Sequence, residues 1–178
     1  PISATTVSRD KKWVITADRG QDSMMVVWAK ENDFSPVKTI FNPHPNGVLA
    51  VDITSDGKYI VTLSAPSSGA SGSEEGEGVG QEISIWDWQS DATAPLCSAT
   101  IGAQDVQTCV LFNDWDIHEI ATNGKRRVFF WTWDVDQPFQ FYSPALSARD
   151  FKQNIADFTQ TIFLPESTQA ATATVDGD

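Results

Sequence analysis

One pattern of apolar and polar segments occurs three times along the chain and begins a fourth time. Each copy holds a short apolar run, a polar turn, a second apolar run and a third run that ends in Trp. These residues are Trp28, Trp86 and Trp131, which are separated by 58 and 45 residues. A repeat of this length is typical of folds built from stacked identical units, so each copy is expected to form one unit that packs against the next.

Each copy predicts four short strands. The apolar runs are rich in Val, Ile, Thr and aromatic residues and are bounded by Asp, Gly, Ser and Pro. A further extended segment follows each Trp, and a fourth copy begins at 161–163 and 171–174. We predict an all-β fold, a β-propeller fragment of about three and a half four-stranded blades. The predicted units are blades at 1–41, 42–102 and 103–146, and a connection with the first strands of a further blade at 147–178.

The second copy resembles the WD-repeat family position by position. From His44 it reads His-Pro-Asn-Gly-Val-Leu-Ala-Val-Asp-Ile-Thr-Ser-Asp-Gly-Lys, which is similar to the family consensus of a His, alternating apolar residues and an Asp-Gly turn. The resemblance implies a buried hydrogen-bonded tetrad of His, Ser or Thr, Trp and Asp. His44, Thr62 and Trp86 match it, whereas Gly80 replaces the Asp and Pro43 replaces the Gly that normally precedes the His.

The other copies match the tetrad less completely. In the third copy, Ala103 and Lys125 stand where the family has His and Asp. The resemblance implies that the remaining tetrad positions are filled by Thr16, Asp22, Trp28, Thr122 and Trp131.

Further tryptophans lie close to the repeat positions. Trp88 and Trp133 come two residues after a repeat Trp and therefore share its strand face. We expect them to pack between blades, and the alternative is an exposed aromatic contact for a partner. Trp13 opens a strand, and Trp115 lies in a turn, where we expect it to be exposed.

The sequence predicts no catalytic residue, no metal site and no cofactor. His44 and His118 lie in different turns, with no Glu or Cys at ligand spacing beside either. The sequence holds no nucleophile elbow, Walker loop or dinucleotide fingerprint. We therefore expect a non-enzymatic protein in which the remaining candidates are structural, namely Ser64, Ser84, Asp114 and Asp116.

Charge and composition narrow the range of partners. The formal net charge is −12, and the longest basic run is Lys125-Arg126-Arg127, so we predict no nucleic-acid partner. Apolar runs of about five residues predict no membrane span, and no secretory signal follows Pro1. Cys97 and Cys109 lie in apolar stretches and are expected to be reduced thiols of a cytosolic protein.

Two segments depart from the repeat. Residues 66–82 are rich in Gly, Ser and Glu, which predicts a surface insertion in the second blade; the alternative is a tether whose acidic residues meet a basic partner, namely Glu74, Glu75 and Glu77. In 143–157 the apolar spacing predicts a short helix or a coil packed on the next blade, and the alternative is a partner-docking helix. The apolar residues concerned are Leu146, Phe151, Ile155 and Phe158.

Several stretches are similar to one family of WD-repeat proteins of motile cilia. They are 2–10, 13–20, 38–41, 151–153, 158–163 and 173–177. The resemblance implies a structural subunit of the calmodulin- and spoke-associated complex, at the base of a radial spoke on the axonemal doublet microtubule. It implies the cytoskeleton of the cilium as the location, and spoke and complex subunits as partners, with calmodulin a candidate among them. No residue here matches a calcium-binding motif.

A second reading of the same fold stays open. A cytosolic WD-repeat adaptor, in ubiquitin ligation or signalling, would present a peptide-binding propeller face. Because the tubulin surface is acidic, a chain of net charge −12 is expected to reach the microtubule through partner proteins rather than by direct attraction.

Overall fold

The chain folds into antiparallel sheets that follow one another in sequence order. The computed structural model describes residues 1–67, 79–103, 105–145 and 155–177. Its fourteen strands form three four-stranded sheets and one two-stranded sheet, and every strand pairs with its sequence neighbour. The all-β prediction is confirmed, and the repeat unit in the sequence is one four-stranded sheet.

The sheets are built from these strands. The first holds β1 (Ile2–Val7), β2 (Trp13–Asp18), β3 (Met24–Ala29) and β4 (Ser35–Phe41). The second holds β5 (Val48–Ile53), β6 (Tyr59–Ser64), β7 (Val79–Asp87) and β8 (Cys97–Ala103). The third holds β9 (Cys109–Phe112), β10 (Glu119–Asn123), β11 (Val128–Asp134) and β12 (Gln137–Tyr142). The last pairs β13 (Phe158–Phe163) with β14 (Ala170–Thr174).

The core consists of two clusters, each between neighbouring sheets. The first lies between sheets one and two, and the second between sheets two and three. Strand β6 serves both, because Ile60 faces one cluster while Val61 and Leu63 face the other. A strand that is apolar on both faces is expected where a sheet is covered on both sides, so the middle sheet is held between its two neighbours.

The predicted insertion at 66–82 is wrong at its C-terminal end. Strand β7 begins at Val79, and Gly80 and Gln81 pair with Gly102 and Ile101 of β8. The strand continues through this Gly-containing stretch because β8 supplies a partner and because the Gln81 side chain donates to Ser64 O at 3.1 Å. Residues 68–78, with the three glutamates of the proposed tether, lie outside the described residues.

The predicted helix or coil in 143–157 is tested only in part. Leu146 and Phe151 fall within 146–154, which lie outside the described residues, and Ile155 belongs to no helix. Phe158, assigned to the same apolar pattern, is instead the first residue of β13. Its amide donates to Lys125 O at 2.7 Å, so the last sheet begins against the β10–β11 turn of the third.

Candidate functional site

A Thr–Trp hydrogen bond recurs in all three four-stranded sheets. The indole Nε1 of the repeat Trp donates to the Thr Oγ1 of the neighbouring strand, at 2.9, 2.9 and 3.1 Å. The pairs are Trp28 with Thr16, Trp86 with Thr62, and Trp131 with Thr122. Strand pairing places each Trp opposite a residue two positions from its Thr, so the contact is local to one sheet. This part of the predicted tetrads is confirmed.

The second sheet extends the pair to a histidine and a carboxylate. His44 Nε2 lies 2.7 Å from Thr62 Oγ1, and the imidazole is fully buried. Its Nδ1 faces Glu82 Oε2 at 3.5 Å. Glu82 thus takes the place of the Asp that Gly80 replaces, from a position two residues further along β7. The sequence analysis missed Glu82 because the consensus places the carboxylate in a turn, and here it lies in a strand.

Burial controls the protonation of His44. Desolvation lowers the pKa of His44 below its ordinary value, and the Glu82 carboxylate opposes part of that shift. Glu82 also accepts from Ser84 Oγ at 3.3 Å, which gives a Ser–carboxylate–His order. In hydrolases the histidine must contact the serine, whereas here the carboxylate stands between them. The arrangement therefore has the form of a structural network.

The remaining predicted tetrad positions do not join such a network. Asp22 lies in an exposed turn with φ 57°, and the neighbouring Met24 amide is bound by Asp18 instead, at 2.6 Å. In the third sheet, Lys125 is exposed and pairs with Asp157 at 3.6 Å. The physical reason is the absence of a buried His in either sheet, which leaves no partner to hold a carboxylate in the interior.

Buried side chains also join one sheet to the next. The Gln81 side chain donates to Gln107 O at 2.9 Å and accepts from Gln107 N at 2.7 Å. Asn123 accepts from the Thr161 amide at 3.0 Å and so ties the third sheet to β13. These contacts satisfy polar backbone groups that packing removes from water, and they fix how neighbouring sheets are placed.

A carboxyl on β5, an edge strand of the second sheet, makes a similar link. Asp52 of β5 accepts from the Phe112 amide at 2.8 Å and from Thr6 Oγ1 at 3.3 Å, so it contacts the sheets on either side. Burial raises the pKa of Asp52 to about 6, although these hydrogen bonds favour the charged form.

Trp88 and Trp133 pack between sheets. Trp88 donates to Gly57 O at 2.9 Å and lies edge-on to Trp13 of the first sheet at 4.9 Å. Trp133 is 1% exposed and meets Tyr59 of the second sheet in the same way, at 5.1 Å. The prediction of packing between blades is confirmed, and the alternative of exposed aromatic contacts is wrong for both, since each ring fills a gap between sheets.

Trp115 differs from the other tryptophans because it is 53% exposed, as predicted. Its turn is fixed by Asn113, whose Oδ1 accepts from the Trp115 amide at 3.0 Å. The adjacent Asp114 pairs with Arg9 and, through its carbonyl, accepts from Ser55 Oγ at 3.0 Å. Turns from three sheets therefore meet beside this exposed ring.

The other candidates are dispersed. His118 is exposed, with Nδ1 3.0 Å from Trp133 O. Cys97 and Cys109 are free thiols, and burial raises the pKa of Cys97 to about 11. Among the described residues, no three His, Cys, Asp or Glu side chains are grouped so as to hold a metal ion. Within those same ranges, no helix is long and apolar enough to cross a membrane.

Solved structures with a similar fold are WD-repeat propellers. The β-propeller domain of Cps50 (Swd1) from Myceliophteria thermophila superimposes with a TM-score of 0.62 at 12% identity, covering 91% of this chain and 45% of that one. The WD40 repeats of RRP9 give 0.56 at 20% identity, covering 80% of this chain and 38% of theirs. At these identities the likeness shows the fold, and the propeller prediction is confirmed.

Relatives in sequence identify the family more narrowly than the solved structures do. Cilia- and flagella-associated protein 251 of Chlamydomonas reinhardtii is 38% identical over 100% of this chain and 22% of its own length. The protein of that name from Tetrahymena thermophila is 38% identical over 99% of this chain and 17% of its length, and the mouse protein 28% over 99% and 13%. The chain thus spans less than a quarter of these curated relatives. The family model described as the CFAP251 N-terminal domain matches residues 1–178, so the chain belongs to that cilia- and flagella-associated family.

Proposed function

We propose that the chain is a propeller segment of a non-enzymatic scaffold in motile cilia, a subunit of the calmodulin- and spoke-associated complex at the base of a radial spoke. In this role it supports spoke assembly and motility on the axonemal doublet microtubule. The observation that carries the proposal is the match of the CFAP251 N-terminal domain model across all 178 residues. Its partners are other spoke and complex subunits, with calmodulin a candidate among them.

The hydrogen bonds of the buried polar side chains favour a scaffold. Buried polar side chains form hydrogen bonds that link strands and sheets. Examples are the network of His44, Thr62 and Trp86 and the pair of Gln81 and Gln107. Such links fix a rigid shape and leave the turns and outer strands for contacts with other proteins. The exposed Trp115 is one residue of the type that such contacts use.

Charge determines how the scaffold reaches the microtubule. The chain carries 24 acidic and 12 basic residues, and like charges across an interface oppose association. The proposal therefore places the segment on complex subunits that contact the doublet, rather than on the tubulin lattice itself.

Affinity purification of the full-length protein from ciliated cells, followed by mass spectrometry, tests the proposal. We expect calmodulin and radial-spoke subunits, enriched over a tagged ciliary protein that is not part of the axoneme. Recovery of ubiquitin-ligase or signalling components without axonemal proteins would overturn the proposal and favour the cytosolic adaptor.

A further inference from the structure

The β10–β11 turn carries the strongest local positive charge of the described residues. Lys125, Arg126 and Arg127 follow one another, and all three side chains are exposed. The chain as a whole has twice as many acidic as basic residues, so this cluster contrasts with the molecule that bears it. No network described above uses the two arginine side chains.

The backbone of this turn is fixed by hydrogen bonds to one carboxylate. The Asp105 carboxylate accepts from the amides of Lys125, Arg126 and Arg127 at 3.2, 2.9 and 2.8 Å. Gly124 makes this possible, because a Cβ there would lie 2.5 Å from Asp105 Oδ2 and 2.4 Å from Val106 O. Asp105 faces the backbone, and the cationic side chains lie on the exposed side of the turn. A ligand would therefore meet a fixed turn, which reduces the entropy lost on binding.

A cleft with both charged and apolar lining residues adjoins the turn. Its volume is about 270 Å³, and it is lined by Lys125, Arg126, Ile155, Ala156, Asp157 and Phe158. The backbone bond from the Phe158 amide to Lys125 O joins its two sides. Asp157 offsets one of the three positive charges through its contact with Lys125, and the Asp105 carboxylate against the backbone offsets part of the others. The Arg126 and Arg127 side chains are exposed and leave the turn with a positive face.

We propose that this turn and its cleft bind an acidic peptide segment of a partner protein, with one apolar side chain in the cleft. The arginine guanidinium groups suit carboxylates, which they bind through paired hydrogen bonds. A nucleic acid is a poorer fit, because three adjacent cations cover few phosphates and the net charge repels the rest. The proposal stands independently of the ciliary complex named above.

Fluorescence anisotropy on the full-length protein tests the proposal. The probe is a labelled peptide of six glutamates around a central leucine, and the comparison peptides replace the glutamates by glutamine or the leucine by glycine. We expect the Glu-Leu peptide to bind at least tenfold more tightly than the Gln peptide and several-fold more tightly than the Gly peptide. Equal binding of the Glu-Leu and Gln peptides would overturn the proposal.

Variants locate the binding site. Arg126→Ala with Arg127→Ala is expected to weaken binding of the Glu-Leu peptide five- to twentyfold and to lower its salt dependence. The matched control, Lys12→Ala with Lys30→Ala, removes two exposed charges from the connections between strands of the first sheet and should weaken binding less than twofold. Circular dichroism checks that both variants are folded. Equal losses in both pairs, or tighter binding of single-stranded RNA than of the Glu-Leu peptide, would contradict the assignment.

Discussion

At the scale of single residues, Thr62 is the centre of the buried network. Its hydroxyl oxygen accepts a hydrogen bond from the Trp86 indole N–H and forms another with His44 Nε2. All three side chains are almost completely buried. A group with two buried polar neighbours is costly to remove, because both neighbours lose a partner and neither can reach water. Thr16 offers a comparison, since it binds Trp28 alone and that indole is half-buried.

We therefore predict that Thr62→Val lowers the free energy of unfolding by about 2–4 kcal/mol, whereas Thr16→Val lowers it by about 1 kcal/mol. Valine keeps the side-chain shape, so the difference reports on hydrogen bonding. Urea unfolding of the full-length protein, followed by tryptophan fluorescence, measures both variants. Equal losses would show that His44 adds nothing to the network.

Asp52 predicts a pH effect on stability. The pKa of Asp52 is raised to about 6 from an ordinary value of 3.8. Its contribution to stability is therefore full below pH 3.8 and is lost as the pH rises through about 6. Asp52→Asn keeps an acceptor for the Phe112 amide, and we expect the variant to be more stable than the parent by about 1 kcal/mol above pH 7, with no gain at pH 4.

Urea unfolding of parent and variant between pH 4 and pH 8 measures this difference. His44, whose pKa is lowered, has the opposite sign, because its contribution is present above pH 6.5 and is lost as the pH falls. Comparing the two proteins at each pH cancels that term. Asp22→Asn removes an exposed carboxyl and serves as the charge control. If Asp52→Asn raises the free energy of unfolding by the same amount at every pH, the gain does not come from the ionisation of Asp52, and the prediction is contradicted.

At the scale of elements, turns and strand ends decide how the sheets meet. The β10–β11 turn approaches the segment before β9 so closely that a side chain at Gly124 would overlap three atoms of that segment. Trp133 and Trp88 fill equivalent gaps, each against an aromatic residue at the start of the second strand of the preceding sheet. These positions therefore add specific contacts to the apolar clusters that fill the space between neighbouring sheets.

Gly124→Ala is predicted to destabilise the protein by more than 2 kcal/mol, because backbone and a carboxylate that caps three amides would have to move. Gly102→Ala is the control, since a Cβ there has no atom within 4 Å and Gly102 lies in β8. Thermal unfolding of both variants distinguishes the two sites. A similar decrease in Tm for both would mean that the loss reflects glycine replacement in general.

At the scale of the whole molecule, the stability of each sheet depends on the sheets that pack against it. The middle sheet is covered on both faces, whereas the last sheet has two strands and leaves Ile162 of β13 more than half exposed. In folds of this type each unit contributes its own stability and that of its interfaces. The relatives are several times longer than the segment that matches this chain.

Hydrogen exchange tests this dependence. In the 178-residue chain studied alone, we expect amides of β14 to exchange at least a hundredfold faster than those of β6, which is buried throughout. In the full-length protein the β14 amides should slow, while those of β6 change little. Equal protection of β14 in both would show that the half-sheet needs no further strands.

The sequence by itself determined the contacts that lie within one sheet. The strand periods and the turns follow from local spacing, whereas the three Thr–Trp pairs were expected from the resemblance of the copies to WD repeats. Only the tertiary structure revealed Glu82 beside His44, the Gln81–Gln107 pair, and Asp105 beneath the basic turn. All three contacts join residues 20 or more positions apart in sequence, and that of Glu82 also depends on a strand that continues through a glycine-containing stretch. The packing of the second sheet against the third decides the Gln81–Gln107 pair, whereas the paths of β7 and of the segment before β9 decide the contacts of Glu82 and Asp105. The spacing of residues along the chain specifies none of these.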